Sequence, residues 1–283
     1  MKIQKVGVVG CGLMGSGIAQ NCAQSGYDVV VSEINEDLLN KGMNMIKGSL
    51  AKSVEKGKLS EEDRAAILGR VKGTTNTKEF SSRDLVVEAA IENLDLKKKI
   101  FADLDAICPP NAILASNTSC LSVTEIATAT KRPEKVVGTH FFNPVPVMAL
   151  LELVRAISTS QDTLDSVRTF GETLGKTIIV AQDKPGFIVN RLLGAFMLEA
   201  IRMLENGIAT REDIDNGMRL GANHPMGPLT LADFVGLDTM YYIAESMYDE
   251  LKDPKFAPPL LLKRMVAAGH LGRKAGKGFY EYR

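Results

Sequence analysis

The amino-acid sequence predicts an α/β fold, in which a doubly wound, mostly parallel sheet with an inserted helical hairpin is followed by an all-helical C-terminal domain. β-Branched runs alternate with helical patterns as far as residue 181, whereas helical periodicity continues almost without strand signal from Lys184 onward. The length of 283 residues is about twice the commonest domain size. We therefore predict two domains, 1–184 and 185–283, which meet at the turn Asp183-Lys184-Pro185-Gly186.

Strands and helices alternate along the first domain. The predicted strands cover residues 3–9, 27–31, 71–74, 85–88, 112–115, 135–139, 150–154 and 177–181, and the predicted helices cover 13–25, 35–56, a segment that begins after Ser60, 94–107, 123–127 and 163–174. The second and third of these helices form the hairpin, because Gly57-Lys58 interrupts the pattern and the Ser-Glu-Glu-Asp stretch at Ser60 suits a helix N-cap. In the second domain we predict helices at 187–206, 211–220, 229–251 and 260–268.

A glycine-rich turn separates the first predicted strand from the first predicted helix. Gly10, Gly12 and Gly15 form the pattern GxGxxG, and Glu33 ends the second strand. The first glycine permits a tight turn, the second lets the backbone approach a pyrophosphate, and the third lets the helix pack on the strand. A carboxylate at Glu33 binds ribose hydroxyls and repels a 2′-phosphate. The pattern predicts a Rossmann-like domain that prefers NAD to NADP; the alternative is a plain tight turn with a solvated acid.

Composition narrows the classes of partner. Lys plus Arg and Asp plus Glu each number 34, so no overall basic field attracts nucleic acid or an anionic membrane. The sequence has no run of 18 apolar residues, and strand-like sequence begins at Ile3, which leaves no room for a signal or transit peptide. We expect a cytoplasmic protein. The four cysteines form no CxxC pair and the three histidines lack metal-ligand spacing, so we expect reduced thiols and no metal.

Polar motifs follow three of the predicted strands. They are Ala90-Ile91-Glu92-Asn93, Ser116-Asn117-Thr118-Ser119 and His140-Phe141-Phe142-Asn143-Pro144. Ligands of open α/β sheets bind at the carboxyl ends of the strands, so these motifs should converge on the nicotinamide end of the cofactor. Hydride transfer at an alcohol needs a base for the hydroxyl proton, and histidine suits that role.

His140 is the one histidine at such a strand end, and Glu152 is its candidate partner. Glu152 lies in the apolar stretch Leu150-Leu151-Glu152-Leu153-Val154, so a partly buried carboxylate there needs a counterpart. A nearby anion orients an imidazole and favours its charged form. The alternative is a hydrogen-bonded core histidine. His224 and His270 are interpreted as turn and chain-end residues.

Two further groups have alternative interpretations. Asn190 lies early in the first helix of the second domain and either faces a cleft or is a capping or surface residue. Lys52 and Lys56 share one helix face with Ser53 beside them, and they either hold a phosphorylated group or form a solvated face.

Taken together, the motifs resemble the 3-hydroxyacyl-CoA dehydrogenase family, especially its stand-alone bacterial members. The resemblance extends over essentially the whole chain, through the segments GVVGCGLMGSGIAQ, VVEAAIEN, ASNTSCLSVTEIA, GTHFFNPVPVM, DKPGFIVNRLL, GANHPMGPLTLADFVGLD and GRKAGKGFYEY. It implies NAD as cofactor and a short-chain acyl-CoA, such as acetoacetyl-CoA or (S)-3-hydroxybutyryl-CoA, as substrate. It also implies a homodimer formed mainly through the helical domain.

The resemblance assigns roles to the candidate residues. It implies that His140 is the catalytic base with Glu152 as its partner, and that Ser119 and Asn190 bind the C3 oxygen and the thioester region. The implied cofactor site consists of Gly10, Gly12, Leu13, Met14, Gly15, Glu33, Glu92, Lys97, Ser119 and Asn143. Lys52, Ser53 and Lys56 would contact the CoA nucleotide. Cys120 and Ala149 stand where the family often has serine and lysine, respectively.

Two other functions remain open on the sequence. A dehydrogenase of the same fold could act on a free 3-hydroxy acid or sugar acid, in which case the lysine face of the hairpin would have no nucleotide to bind. Alternatively, the chain could bind NAD without catalysis, because a fold does not determine a function.

Overall fold

The computed structural model describes residues 2–282, and the chain divides into two compact units, Met1–Lys184 and Pro185–Arg283. The first unit contains strands β1 (Lys5–Val9), β2 (Asp28–Ser32), β3 (Val71–Thr74), β4 (Leu85–Glu88), β5 (Ile113–Ser116), β6 (Val136–Phe141), β7 (Leu150–Arg155) and β8 (Thr177–Gln182). Its helices are α1 (Leu13–Gln24), α2 (Glu36–Glu55), α3 (Glu61–Gly69), α4 (Leu94–Ile107), α5 (Val123–Ala127) and α6 (Gln161–Thr173).

These strands form one sheet in the order β3-β2-β1-β4-β5-β6-β7-β8. Neighbouring strands are parallel except for the antiparallel pair β6–β7. The predicted mostly parallel, doubly wound sheet is therefore confirmed. Strand order reverses between β1 and β4, and in sheets of this kind ligands bind outside the carboxyl ends of the strands at that reversal.

Burial of β-branched and aliphatic side chains explains why these segments form strands. Val6, Val8, Val29 and Val31 are buried on β1 and β2, in the same apolar core as residues of the helical hairpin. Helix α2 buries Leu39, Gly42, Ile46 and Leu50, a spacing of three or four residues that places them on one face. The predicted cap is confirmed, because the Ser60 side chain accepts a hydrogen bond from the Asp63 N–H at the start of α3.

The second unit is helical. It contains α7 (Val189–Glu205), α8 (Arg211–Asn216), α9 (Pro228–Val235), α10 (Leu237–Leu251) and α11 (Leu260–Ala267). The single helix predicted over 229–251 is wrong, because Gly236 adopts φ 99° and separates α9 from α10. The helix predicted to reach residue 220 leaves α-geometry after Asn216 and continues as one π-turn, Gly217–Gly221. Within residues 2–282, no helix has the length and apolar character needed to cross a membrane.

Candidate active site

The glycine turn between β1 and α1 has the geometry of a phosphate-binding turn. Gly10 adopts φ 91°, a backbone conformation that favours glycine. A Cβ on Gly15 would overlap the carbonyl oxygen of Gly10, so α1 packs against the turn at backbone contact. By contrast, a Cβ on Gly12 would have no protein atom within 4 Å. The backbone at Gly12 therefore borders open space, as a bound pyrophosphate requires.

Glu33 lies immediately after β2 and reaches the same turn. Its Oε1 accepts a hydrogen bond from the Cys11 N–H at 2.8 Å, and its Oε2 accepts one from the Ile34 N–H at 3.0 Å. Burial, and to a smaller extent the charge of Glu33, raise the pKa of the Cys11 thiol to about 12, so that thiol stays neutral. The carboxylate is held where the adenosine ribose of a dinucleotide would lie, and it has lone pairs left for ribose hydroxyls.

His140 and Glu152 form a buried pair at the end of β6. They are direct partners in the antiparallel register of β6 and β7, which places both side chains on one face of the sheet. His140 Nδ1 and Glu152 Oε2 are 2.6 Å apart, and the side chains are only 6% and 0% exposed. An ionised carboxylate at Nδ1 sets the orientation and tautomer of the ring and stabilises the imidazolium form. Nε2 is then the ring nitrogen suited to exchange a proton with a substrate.

The loops after β4, β5 and β6 converge, as predicted. Glu92 Oε1 accepts hydrogen bonds from Thr118 Oγ1 at 2.6 Å and from the Ser119 N–H at 2.8 Å. Asn117 Oδ1 accepts one from the Phe141 N–H at 3.0 Å, which joins the second loop to the strand that carries His140. The three motifs therefore contact one another, and their position at the nicotinamide end of a cofactor stays a prediction. These contacts bring the Ser119 backbone, the Glu92 carboxylate and the end of β6 into one part of the sheet edge.

Lys97 is embedded in this edge. Its ammonium group is 2.7 Å from Glu88 Oε1 and 3.5 Å from Glu92 Oε2, and the side chain is fully buried. The structure thus places Lys97 between two carboxylates, and its link to a cofactor ribose would pass through Glu92. Glu88 was missed by the sequence reasoning. An acid that ends an otherwise apolar run, as in Leu85-Val86-Val87-Glu88, was the available signal.

Other predicted cofactor residues lie at the surface of this edge. Leu13 and Met14 begin α1, where Leu13 is exposed and Met14 half-buried. Asn143 is exposed in the loop that connects β6 to β7. Asn190 belongs to the second unit, where it is the second residue of α7 and lines a small, mainly apolar cavity of about 60 Å³.

Lys52 and Ser53 near the end of α2, together with Lys56 directly after it, line a cleft of about 760 Å³ in the first unit. Gln20 of α1 and Pro146 of the β6–β7 connection lie on its other sides. Both lysines are exposed, so their ammonium groups can meet an anionic ligand. The geometry is that of an open, cationic cleft.

Three features define an NAD-binding dehydrogenase of the α/β class: a mostly parallel sheet whose strand order reverses beside a glycine turn, an acid directly after β2, and a buried His–Glu pair on β6 and β7. Two family models match the chain: the 3-hydroxyacyl-CoA dehydrogenase NAD-binding domain over residues 5–184 and the C-terminal domain of the same family over residues 186–282. The chain belongs to the 3-hydroxyacyl-CoA dehydrogenase family and is an NAD-dependent oxidoreductase.

Similar proteins agree with this assignment. A 3-hydroxybutyryl-CoA dehydrogenase of Mycobacterium tuberculosis is 49% identical over 282 residues, 99% of each chain. The mitochondrial hydroxyacyl-coenzyme A dehydrogenase of Sus scrofa is 44% identical over 99% of this chain and 92% of its own. The crystal structure of (S)-3-hydroxybutyryl-CoA dehydrogenase from Ralstonia eutropha matches with a TM-score of 0.97 at 48% identity, covering both chains completely.

Proposed function

We propose that the chain catalyses reversible hydride transfer between NAD(H) and a short-chain 3-hydroxyacyl-CoA, interconverting (S)-3-hydroxybutyryl-CoA and acetoacetyl-CoA. The observation that carries this proposal is the buried His140–Glu152 pair, held 2.6 Å apart on adjacent strands in the domain of the glycine turn. The identity of 49% to a 3-hydroxybutyryl-CoA dehydrogenase supports the choice of substrate.

His140 carries the proton chemistry in this proposal. During oxidation the neutral imidazole accepts the C3 hydroxyl proton at Nε2, and during reduction the imidazolium donates a proton to the 3-keto oxygen. Glu152 keeps the ring oriented and stabilises the positive charge while the proton resides on it. Bound NAD supplies the hydride acceptor in oxidation, and NADH the donor in reduction. Ser119 and Asn190 bind the C3 oxygen and the thioester region.

The remaining site residues bind the two nucleotides. The glycine turn with Leu13 and Met14 holds the NAD pyrophosphate, and Glu33 binds the adenosine ribose. Glu92, backed by Lys97, lies toward the nicotinamide ribose, with Asn143 supporting the loop after His140. Lys52, Ser53 and Lys56 bind the CoA nucleotide, because their cleft is cationic, open and large enough for a phosphorylated group.

Steady-state NADH oxidation with acetoacetyl-CoA tests the proposal, with free acetoacetate and NADPH as parallel controls. Turnover with the thioester and NADH, and much slower turnover with either control, is the expected result. The variant His140→Gln should lose at least about 100-fold in kcat and keep its NADH affinity. Near-normal turnover of this variant would show that His140 is not the catalytic base. Turnover with the free acid alone would assign the site to another substrate class, and NADH binding without any turnover would make the chain a binding protein.

We further propose that two copies associate through the helical unit. The second unit exposes large apolar side chains, among them Leu192, Phe234 and Tyr242 at 59–68% exposure. In analytical ultracentrifugation we expect the wild type to have the mass of a dimer and Leu192→Asp to have the mass of a monomer. A wild type with the mass of a monomer would contradict the proposal. The cytoplasmic location stays a prediction.

A further inference from the structure

Glu88 is a fully buried carboxylate whose two oxygens are both engaged. It ends β4, where its register partners are Val9 on β1 and Ser116 on β5. Its Oε1 accepts hydrogen bonds from Lys97 Nζ and from the Ala90 N–H, each at 2.7 Å. Its Oε2 accepts one from Ser116 Oγ, also at 2.7 Å. One carboxylate thus joins the ends of two strands, the turn after β4 and helix α4.

The ammonium partner of Glu88 reaches a second acid. Lys97 Nζ lies 2.7 Å from Glu88 and 3.5 Å from Glu92, whose side chain is 35% exposed. An isolated buried charge is strongly unfavourable, so the Glu88 charge is what keeps the fully buried ammonium group in place. The Lys97 charge in turn attracts the half-exposed Glu92 carboxylate toward the protein.

Glu92 then organises the turn that carries Ser119. Its Oε1 accepts hydrogen bonds from Thr118 Oγ1 at 2.6 Å, from the Ser119 N–H at 2.8 Å and from the Cys120 N–H at 3.2 Å. Three donors on consecutive residues converge on a single carboxylate oxygen. The position of this turn therefore depends on the position of Glu92.

A second branch leads from Glu88 to the glycine turn. The bond from the Ala90 N–H to Glu88 Oε1 holds the backbone just after β4. The neighbouring Ala89 carbonyl oxygen lies 2.8 Å from where a Cβ on Gly10 would be. The backbone that Glu88 restrains is therefore one wall of the phosphate-binding turn.

We propose that Glu88 is a positioning residue for the nicotinamide end of the site. It fixes Lys97, Lys97 fixes Glu92, and Glu92 fixes residues 118–120, while its bond to Ala90 braces the glycine turn. Glu88 contacts neither cofactor nor substrate in this proposal and acts through Lys97 and Ala90. The inference rests on the proposed function for the roles of Glu92 and Ser119.

A double-mutant cycle on NADH binding tests the proposal. Glu88→Gln keeps the size and the acceptor but removes the charge, and we expect it to raise the NADH Kd about tenfold. Glu92→Gln should do the same, and the double variant should be no more than about twofold weaker than either single variant, because both disrupt one chain of contacts. Effects that multiply to about 100-fold, or a Glu88→Gln protein that binds NADH normally, would overturn it. Fluorescence titration of NADH needs no turnover, so failure of the proposed substrate leaves this test intact.

A matched control separates positioning from stability. Asp105 and Arg132 form another mostly buried ion pair, 2.7 Å apart, near the opposite end of α4. Asp105→Asn should lower the melting temperature as Glu88→Gln does and leave the NADH Kd unchanged. A weaker NADH Kd in Asp105→Asn would reduce the Glu88 effect to general destabilisation. If Glu88→Gln does not fold, Ser116→Ala replaces it in the cycle, because this variant removes one hydrogen bond to Glu88 and keeps the carboxylate charge. We expect Ser116→Ala to bind NADH about twofold more weakly. An unchanged NADH Kd would refute the proposal.

Discussion

Gly12 and Gly15 differ in what surrounds them, and the difference predicts opposite results for the same substitution. A Cβ at Gly12 meets no protein atom within 4 Å, whereas a Cβ at Gly15 would overlap the Gly10 carbonyl oxygen and lie 2.8 Å from its carbon. Gly12→Ala should therefore leave the fold intact and obstruct the pyrophosphate. Gly15→Ala should damage the fold and the cofactor site together.

The magnitudes follow from the local geometry. Overpacking against backbone that cannot rotate away costs about 3 kcal/mol or more, and alanine in the interior of α1 returns about 1 kcal/mol of helix propensity. The net loss for Gly15→Ala of about 2 kcal/mol corresponds to a melting temperature lower by about 4–8 °C. Gly12 is the N-cap of α1 with φ −70°, so Gly12→Ala loses about 0.5–1 kcal/mol, or about 1–4 °C.

Thermal unfolding and NADH titration of both variants check the argument. We expect NADH affinity at least about tenfold weaker for Gly12→Ala despite its small change in melting temperature, since the methyl group occupies the approach of the pyrophosphate. Wild-type NADH affinity in Gly12→Ala would show that no phosphate passes close to Gly12. An unchanged melting temperature in Gly15→Ala would show that α1 moves away from the turn without cost.

Three further predictions concern single groups. Glu152→Gln removes the anion beside His140 Nδ1, so kcat should fall about 100-fold while the NADH titration stays unchanged; a wild-type kcat would contradict its role. Burial raises the pKa of the Cys108 thiol to about 11 and the pKa values of the Cys11 and Cys22 thiols to about 12. Iodoacetamide at pH 8 should therefore label the half-buried Cys120 before these three buried cysteines, and peptide mass spectrometry can measure the order of labelling. Burial also lowers the pKa of Lys176 from its ordinary 10.5, so the unfolded chain binds more protons than the folded chain between the lowered pKa and pH 10.5. In urea titrations across that pH window, the unfolding free energy of the wild type should therefore rise relative to that of Lys176→Met. A difference between the two proteins that stays constant with pH would refute this.

Local signals in the sequence were sufficient to predict most of the fold. The run Val71–Thr74 and the run Leu85–Glu88 occur as strands with the predicted bounds, because β-branched residues between turn signals have few other ways to bury their side chains. The prediction of one helix over 229–251 was wrong because the segments before and after Gly236 both have helical periodicity. Only the backbone conformation of Gly236, at φ 99°, shows that the axis must break there.

The site was less predictable, because its specificity depends on contacts between distant segments. The His140–Glu152 contact could be anticipated since a buried acid needs a partner, and its antiparallel register is a property of the pairing between β6 and β7 that neither strand displays alone. Lys176 is an example of a residue whose contacts the sequence does not reveal. Its ammonium donates to the carbonyl oxygens of Val145 and Met148, and backbone carbonyls have no signature in the sequence.

Glu88 could not be predicted as a site residue, because the sequence does not show that both of its carboxylate oxygens are buried and hydrogen-bonded. A strand-end acid is an ordinary feature when solvated, and its meaning changes when burial removes water from both oxygens and leaves Lys97, Ala90 and Ser116 as the donors. Glu92, the partly exposed carboxylate of the network, is one of the residues that the family resemblance assigns to the cofactor. Its orientation depends on a charge it does not touch. The chemistry at an open sheet edge is therefore specified partly by groups that never meet a ligand, and burial together with complete hydrogen bonding is the physical criterion by which to find them.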